Sequence, residues 1–264
     1  MNGGGVGALA KDLAELGVAS GATLLVHASL HRVGAGPETV LAALLDALGP
    51  GGTVVVPAFT AGNSDTSPSY LDRTRDMTER QLTAHRAQMP PFERDRTPSE
   101  GMGRLAEAVR CADGAVRSAH PQTSFAALGA RARDLAAGHD EECHLGERSP
   151  LARLERAGAQ VLLLGVGYGV CSAFHLAEYR VGEPPEREYR CVVRRDGIRT
   201  WTSYRDVALD DHDFPVLGAD FEHRVPVVRR GRVGAGEARL FPLAEAVRFA
   251  TGWLSENRLC GVFR

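Results

Sequence analysis

Lysine is almost absent from this sequence, and its cysteines form no recognisable pair. Lys11 is the single lysine among 31 basic residues, which a codon bias toward G and C explains without a functional role. The sequence contains five cysteines: Cys111, Cys143, Cys171, Cys191 and Cys260. Their odd number, wide spacing and lack of a C-x-x-C motif argue against a disulfide framework or a zinc ribbon. We therefore expect a protein of the reducing cytoplasm.

Long apolar runs and a strong net charge are also missing. No apolar stretch reaches about 18 residues, and no charged segment precedes an apolar core near residue 1, so we expect neither a membrane span nor secretion. With 31 basic and 33 acidic residues the formal net charge is −2, which provides no basic field for nucleic acid or an anionic membrane. The 264 residues are 44% hydrophobic, which is enough for one domain with a large core.

The order of the apolar segments predicts a mixed α/β fold. Strand-like residues 23–27 and 53–59 flank a glycine-bearing loop and a helix that begins at Pro37, as in a parallel crossover unit. The polar stretch 60–96 has little periodicity, and we expect a segment that faces the substrate. Further on, Asp196 and Gly197 predict a hairpin, and residues 225–230 and 239–241 are strand-like. We expect a single domain (1–264) in which a layered α/β body (1–180) carries an antiparallel, strand-rich C-terminal portion (181–264).

The most informative stretch is 161–180, VLLLGVGYGVCSAFHLAEYR. Its apolar run predicts a strand covered on both faces, which is followed by a glycine-rich turn and a short helix with Ser172 as its N-cap. On that helix His175 and Glu178 share a face, so the carboxylate can fix the orientation and tautomer of the imidazole. The positive end of the helix dipole should disfavour the imidazolium. The pair is therefore a candidate general base, although a core histidine bonded to a nearby acid would show the same spacing.

Seven motifs make the sequence resemble a known family, the aminoglycoside N(3)-acetyltransferases, which move an acetyl group from acetyl-coenzyme A to an amine of an aminoglycoside. The motifs are LLVHASL (24–30), GPETVLAALLDALGPGGTVVVPAFT (36–60), TPSEGMGRLAEAVR (97–110), RSAHPQTSFAALG (117–129), RSPLARL (148–154), VLLLGVG to HLAE (161–178) and VGAGEARL (233–240). Their shared order covers most of the chain. Like this family, the sequence lacks the glycine pattern of GNAT-type acetyltransferases.

The resemblance implies a site for acetyl-coenzyme A and a catalytic pair, and no metal. His175 and Glu178 match the catalytic histidine of the family and its partner. The matching cofactor contacts are Ser29, Leu30, His31 and Val33, with Ser118 and His120 placed near the thioester. Backbone N–H groups at a helix start suit a pyrophosphate because unpaired donors and the helix dipole both favour an anion.

The acceptor implied by the resemblance is a polycationic aminoglycoside, so its site should be acidic. The matching acids are Asp65, Asp210, Asp211, Asp213, Glu183 and Glu186, and several of them lie in an acidic run that could equally be a solvated loop. The chain departs from the family at residues 169–173, where relatives often carry an Asp, an Asn and two threonines, and at His31, where an Arg is common. These departures leave the acceptor open.

Other readings of the same residues remain. Cys171, four residues before His175, could carry the acetyl group covalently, whereas the resemblance implies direct transfer. The acceptor could be a different amine or a hydroxyl metabolite. A non-catalytic binding protein and a metal-dependent hydrolase are alternatives of another class, although no third metal ligand is evident beside His175 and Glu178. Monomer and homodimer are both possible.

Overall fold

The structure is a computed structural model that describes residues 5–258, and a seven-stranded mixed sheet forms its centre. The strands of this sheet are β1 (Thr23–Ala28), β2 (Thr53–Pro57), β3 (Val116–Arg117), β4 (Phe125–Gly129), β5 (Gln160–Leu164), β8 (Arg229–Val233) and β9 (Gly236–Pro242). Their order is β3-β4-β2-β1-β5-β9-β8. β1 pairs in parallel with both β2 and β5, while β4 and β9 pair antiparallel on either side of that trio.

Helices cover both faces of the sheet. One face packs against α1 (Val6–Leu16), α3 (Pro37–Leu48) and α6 (Gly103–Cys111), and the other against α7 (Ala132–Ala136), α8 (Pro150–Arg156), α9 (Ala173–Glu178), α10 (Phe214–Arg224) and α11 (Leu243–Asn257). Along β1, Leu24 and Val26 pack in the core on the side of α1, α3 and α6, whereas Leu25 packs in the core on the opposite face of the sheet. Burial on both faces explains why these strands appear in the sequence as continuous apolar runs. The predicted mixed α/β fold is confirmed.

The predicted hairpin is present and forms a second, two-stranded sheet. β6 (Glu186–Arg195) pairs antiparallel with β7 (Ile198–Val207). Asp196 and Gly197 have φ values of 50° and 77°, as a type I′ turn requires, and glycine adopts the second without strain. The remaining C-terminal strands belong to the central sheet and not to the hairpin sheet, because β9 pairs with β5 and β8 pairs with β9. The strand predicted at 225–230 begins instead at Arg229.

Several helices were not predicted from the sequence. The polar stretch 60–96 contains α4 (Pro68–Thr74) and α5 (Glu79–Gln88), which are capped by Ser67 and Thr78. This segment packs against the hairpin, where Phe92 pairs with Val193, and none of its residues lines the main cleft. The expectation of a segment that faces the substrate stays a prediction. Part of the acidic run after residue 205 likewise forms α10. Among residues 5–258, no helix combines the length and apolarity that crossing a membrane requires.

Candidate active site

A cleft of about 900 Å³ opens where the three parallel strands end. Its walls come from the carboxyl ends of β1 and β2, from residues 101–106 at the start of α6, and from residues that follow β5. In open α/β sheets, ligands bind outside the carboxyl ends of parallel strands, because the loops and helix starts converge there. The topology thus brings the turn after β1 and the segment 166–175 together at one candidate site.

Of the four coenzyme A contacts predicted in the turn after β1, three line the cleft. Ser29, Leu30 and His31 line the cleft, at the start of the single-turn helix α2 (Leu30–Val33). Val33 does not, because its side chain is 2% exposed and packs in the core. Gly34 ends the turn with φ 76°, a conformation that strains other residues. The close turn keeps residues 29–36 against the cleft.

His175 and Glu178 form the predicted pair, and the imidazole reaches the cleft. Their Nδ1 and Oε2 atoms lie 2.6 Å apart, and His175 lines the cleft with 14% of its side chain exposed. Glu178 is buried beneath it, with 3% of its side chain exposed. Because Nδ1 donates to the carboxylate, Nε2 remains available to accept a proton from a bound ligand. Ser172 lies at the N-cap position of α9, but its side chain makes no capping hydrogen bond.

Two aromatic rings complete the surroundings of His175, and neither was predicted from the sequence. The Phe214 ring lies 4.7 Å from the imidazole between ring centroids. His27, at the end of β1, also lines the cleft, and its Nε2 accepts the backbone N–H of Ser172 at 3.4 Å. Burial, and then the proximity of His175, lower the pKa of His27 to about 3, so this imidazole is neutral. A neutral neighbour adds no full charge beside His175.

Cys171 is poorly suited to carry an acyl group. It is completely buried and does not line the cleft. Burial raises the pKa of its thiol to about 12, which leaves almost no thiolate at neutral pH. Because the thiolate is the nucleophile, the geometry favours direct transfer over a covalent relay. Cys260 lies outside the described residues.

The structure does not bring Ser118 and His120 to the cleft. Ser118 Oγ lies 2.9 Å from His139 Nδ1 and accepts the backbone N–H of Phe125. His120 is fully buried and its ring packs, tilted, against those of His139 and His144 at centroid distances of 4.8 and 4.5 Å. The turn between β3 and β4 lies under the hairpin, and so these polar side chains join an internal network of histidines instead of a ligand site.

The predicted acids separate into three groups. Asp211 lines the cleft and is exposed. Asp210 and Asp213 lie on the same loop, where Asp210 bonds the His212 ring and Asp213 forms an ion pair with Arg258. This loop is the part of the predicted acceptor site that the structure brings next to His175.

The other acids are held elsewhere. Asp65 is 5% exposed and is paired with Arg86 and Arg190 at 3.0 and 2.9 Å. Two guanidinium groups already pair with this carboxylate, which makes it less available to a cationic ligand, and its assignment to the acceptor site stays a prediction. Glu183 is exposed with φ 50°, and Glu186 pairs with Arg205 on the hairpin; neither lines the cleft.

The second oxygen of Glu178 identifies a residue that sequence reasoning missed. Glu178 Oε1 accepts hydrogen bonds from the backbone N–H of Asp210 and from Arg258, just beyond the end of α11. A partner 80 positions away leaves no local signal in the sequence. Within residues 5–258, no group of three or more His, Cys, Asp or Glu side chains could hold a metal ion.

Comparisons with known proteins identify relatives of this chain. Residues 25–255 match the family model for aminoglycoside 3-N-acetyltransferases. Aminoglycoside N(3)-acetyltransferase VII of Streptomyces paromomycinus is 37% identical, over 94% of this chain and 91% of its own length.

Solved structures have the same fold. The crystal structure of YokD from Bacillus subtilis superposes with a TM-score of 0.89 at 32% identity, covering 97% of this chain and 94% of that one. The binary structure of AAC-IIIb with CoASH gives a TM-score of 0.82 at 31% identity, with 96% and 97% coverage. The chain belongs to the aminoglycoside 3-N-acetyltransferase family.

Proposed function

We propose that the protein transfers the acetyl group of acetyl-coenzyme A directly to an amine of an aminoglycoside, and that this reaction confers antibiotic resistance. The observation that carries the proposal is the His175–Glu178 pair, which lies at the edge of a cleft large enough for two reactants. Family membership and the relative bound to CoASH support the choice of donor. The names of the relatives support the choice of acceptor and of its N(3) position.

The residues after β1 and at the start of α6 form the proposed donor site. Ser29, Leu30 and His31 would contact the cofactor at the mouth of the cleft. Gly103 and Arg104 also line the cleft, where the free N–H groups of a nine-residue helix and an exposed guanidinium favour phosphate oxygens. The apolar lining near Phe59 and Val166 suits the less polar arm that ends in the thioester.

The proposed chemistry at His175 is general base catalysis. An aminoglycoside amine attacks the thioester carbonyl, and Nε2 of His175 takes its proton as the C–N bond forms. The C–S bond then breaks, and the coenzyme A thiolate leaves and takes up a proton. Glu178 fixes the ring and stabilises the imidazolium that forms. A positioned base of this kind contributes roughly 10²–10⁴-fold to the rate.

The proposed acceptor site is the loop 210–213, with Asp211 in the cleft itself. A carboxylate there attracts an ammonium group and orients the sugar ring toward His175. The loop also carries Asp210, which is exposed beside His212. The acceptor preference is therefore expected to depend on this loop.

A thiol-release assay tests the proposal. Purified protein is incubated with acetyl-coenzyme A and each member of a panel of aminoglycosides, and the acetylated position is determined by NMR of the product. We expect turnover with at least one aminoglycoside, no effect of chelators, and a loss of roughly 10²–10⁴-fold in His175→Ala. Activity only with another amine or with a hydroxyl compound would replace the acceptor, and no acyl transfer at all would leave a binding protein.

Three predictions from the sequence stay predictions: the cytoplasmic location, the choice between monomer and homodimer, and the division into portions 1–180 and 181–264. The contacts of β9 with β5 and of α11 with α9 support a single domain. Size-exclusion chromatography with light scattering would determine the oligomeric state.

A further inference from the structure

Arg258 binds both the partner of the candidate base and the candidate acceptor loop. Its Nη1 donates to Glu178 Oε1, and its Nε and Nη2 donate to the two carboxylate oxygens of Asp213 at 2.8 and 2.6 Å. Nη2 also donates to the carbonyl oxygen of Asp210 at 2.6 Å. The guanidinium lies 5.9 Å from the centre of the Phe214 ring, which itself packs on His175.

These bonds restrict how the Glu178 carboxylate can turn. Arg258 and the backbone N–H of Asp210 both hold Oε1, so Oε2 is left to accept from His175 Nδ1. The carboxylate is almost completely buried, where a single unpaired charge is costly, and the guanidinium compensates it. Burial opposes the charge of Arg258, but hydrogen bonds to Asp213 and Glu178 outweigh it and raise the pKa of Arg258, so the guanidinium stays charged.

We propose that Arg258 is a positioning residue for the transfer reaction, which holds Glu178 behind the base and fixes the acceptor loop 210–213 to it. This inference rests on the proposed function. Arg258 does not line the cleft and acts through Glu178 and Asp213. Asp211, between its two anchor points on the loop, is the acid that does line the cleft. One guanidinium thus sets the distance between the base and the carboxylate that receives the cationic acceptor.

The charge of Arg258 also acts on the protonation of the base. Arg258 shares the Glu178 carboxylate with His175, so its charge lies close to the base. The titratable and charged groups on the elements around His175 are Glu178 on α9, His27 on β1, His144 before α8, Asp210, Asp211, His212 and Asp213 before α10, and Arg258 after α11. On α8, Glu155 is already paired with Arg180. Among these groups, Arg258 is the cationic side chain that bonds Glu178 Oε1, so no other group can compensate that carboxylate in the same way.

The test compares Arg258→Gln with wild type in the pH–rate profile of kcat/KM and by NMR. Loss of the guanidinium leaves the Glu178 charge uncompensated, and so the acid limb of the profile moves up by about one pH unit. On the acid limb this shift appears as a roughly tenfold loss of kcat/KM, which becomes smaller at high pH. The release of the loop separately raises KM for the aminoglycoside. Arg258→Lys keeps the charge and should restore the acid limb.

Two further variants control for general damage to the fold. Arg248→Gln removes an exposed arginine from α11, where it pairs with Glu245, and should leave the profile as in wild type. Asp213→Asn removes an anion from the other side of Arg258 and leaves the guanidinium on Glu178, and this should move the acid limb to lower pH. Because this sign is opposite, Asp213→Asn carries the test even where Arg258→Gln does not fold.

An NMR titration separates this inference from the proposed function. The ring signals of His175, assigned by their loss in His175→Gln, can be titrated in the protein without substrates. An upward move of the titration in Arg258→Gln and a downward move in Asp213→Asn would support the inference whatever the acceptor is. Titrations and profiles that match wild type in both folded variants would overturn it, even if the wild-type enzyme acetylates aminoglycosides.

Discussion

Acidification should destabilise this protein, and His139 is the residue at which this effect can be measured. Its side chain is buried and its neutral form is fully bonded: Nδ1 lies 2.9 Å from Ser118 Oγ, and Nε2 lies 3.1 and 2.9 Å from the carbonyl oxygens of Cys143 and His144. The two carbonyls require a proton on Nε2, so Nδ1 accepts from the serine. A second proton would have to enter a site without an anionic partner for it.

The size of the effect follows from the pKa. Burial lowers the pKa of His139 from 6.5 to about 4. A histidine whose pKa is lower in the folded state stabilises the protein above about pH 6.5, and this contribution is lost as the pH falls toward 4. At pH 5 the unfolded chain binds this proton and the folded chain does not, which lowers the free energy of unfolding by about 2 kcal/mol relative to pH 8. His27, with a pKa of about 3, contributes a loss of similar size, again about 2 kcal/mol.

Urea unfolding of His139→Gln and wild type at pH 8 and pH 5 measures the effect. A glutamine retains polar atoms for the same partners but does not titrate, so the variant should lose about 2 kcal/mol less than wild type between the two pH values. Carboxylates that titrate in this range are common to both proteins and cancel in the difference. Phe125→Leu, which loosens the packing near His139, should destabilise equally at both pH values. An unchanged pH dependence in His139→Gln would refute the argument that this imidazole is held neutral.

Two predictions concern the reaction itself. Cys171→Ala should keep kcat within a few-fold of wild type, because a fully buried thiol cannot be acylated from the cleft; a loss as large as that of His175→Ala would reinstate the covalent route. Asp211→Asn should raise KM for the aminoglycoside by roughly 10-fold or more, as expected for a lost charge-assisted hydrogen bond, and should flatten the dependence of KM on salt. Asp65→Asn is its control: it removes an acid that Arg86 and Arg190 already bind, and an equal rise in KM would contradict the assignment.

The elements predicted correctly are those whose signal is local. Continuous apolar runs indicated β1, β2 and β5, and the Asp196-Gly197 pair indicated the hairpin turn. By contrast, α10 lies in an acidic run, and its helical form depends on Phe214, Leu217 and Phe221, which pack in the core. The polar helices α4 and α5 have caps in the local sequence, but the hairpin against which they pack lies far along the chain and is not visible in a window of polar sequence.

The same distinction applies to the site. The spacing of His175 and Glu178 is a property of one helical turn, so the sequence was sufficient to predict their contact. Whether an acid is free for a ligand depends instead on distant partners. Asp65 is neutralised by an arginine 125 positions away, and Glu178 is held by one 80 positions away. The motif around Ser118 and His120 was recognised, but its burial under the hairpin follows only from the tertiary fold.

The contacts of Arg258 imply that base and acceptor loop are energetically coupled, which a double-mutant cycle can measure. If Arg258 positions Asp211 through the loop, then in Arg258→Gln the carboxylate is already misplaced, and Asp211→Asn should cost less there than in wild type. Directly coupled residues give interaction energies of about 0.5–3 kcal/mol, so the double variant should have a KM for the aminoglycoside well below the product of the two single effects. Multiplicative effects would show that the loop keeps its place without the guanidinium, and Arg258 would then act on Glu178 alone.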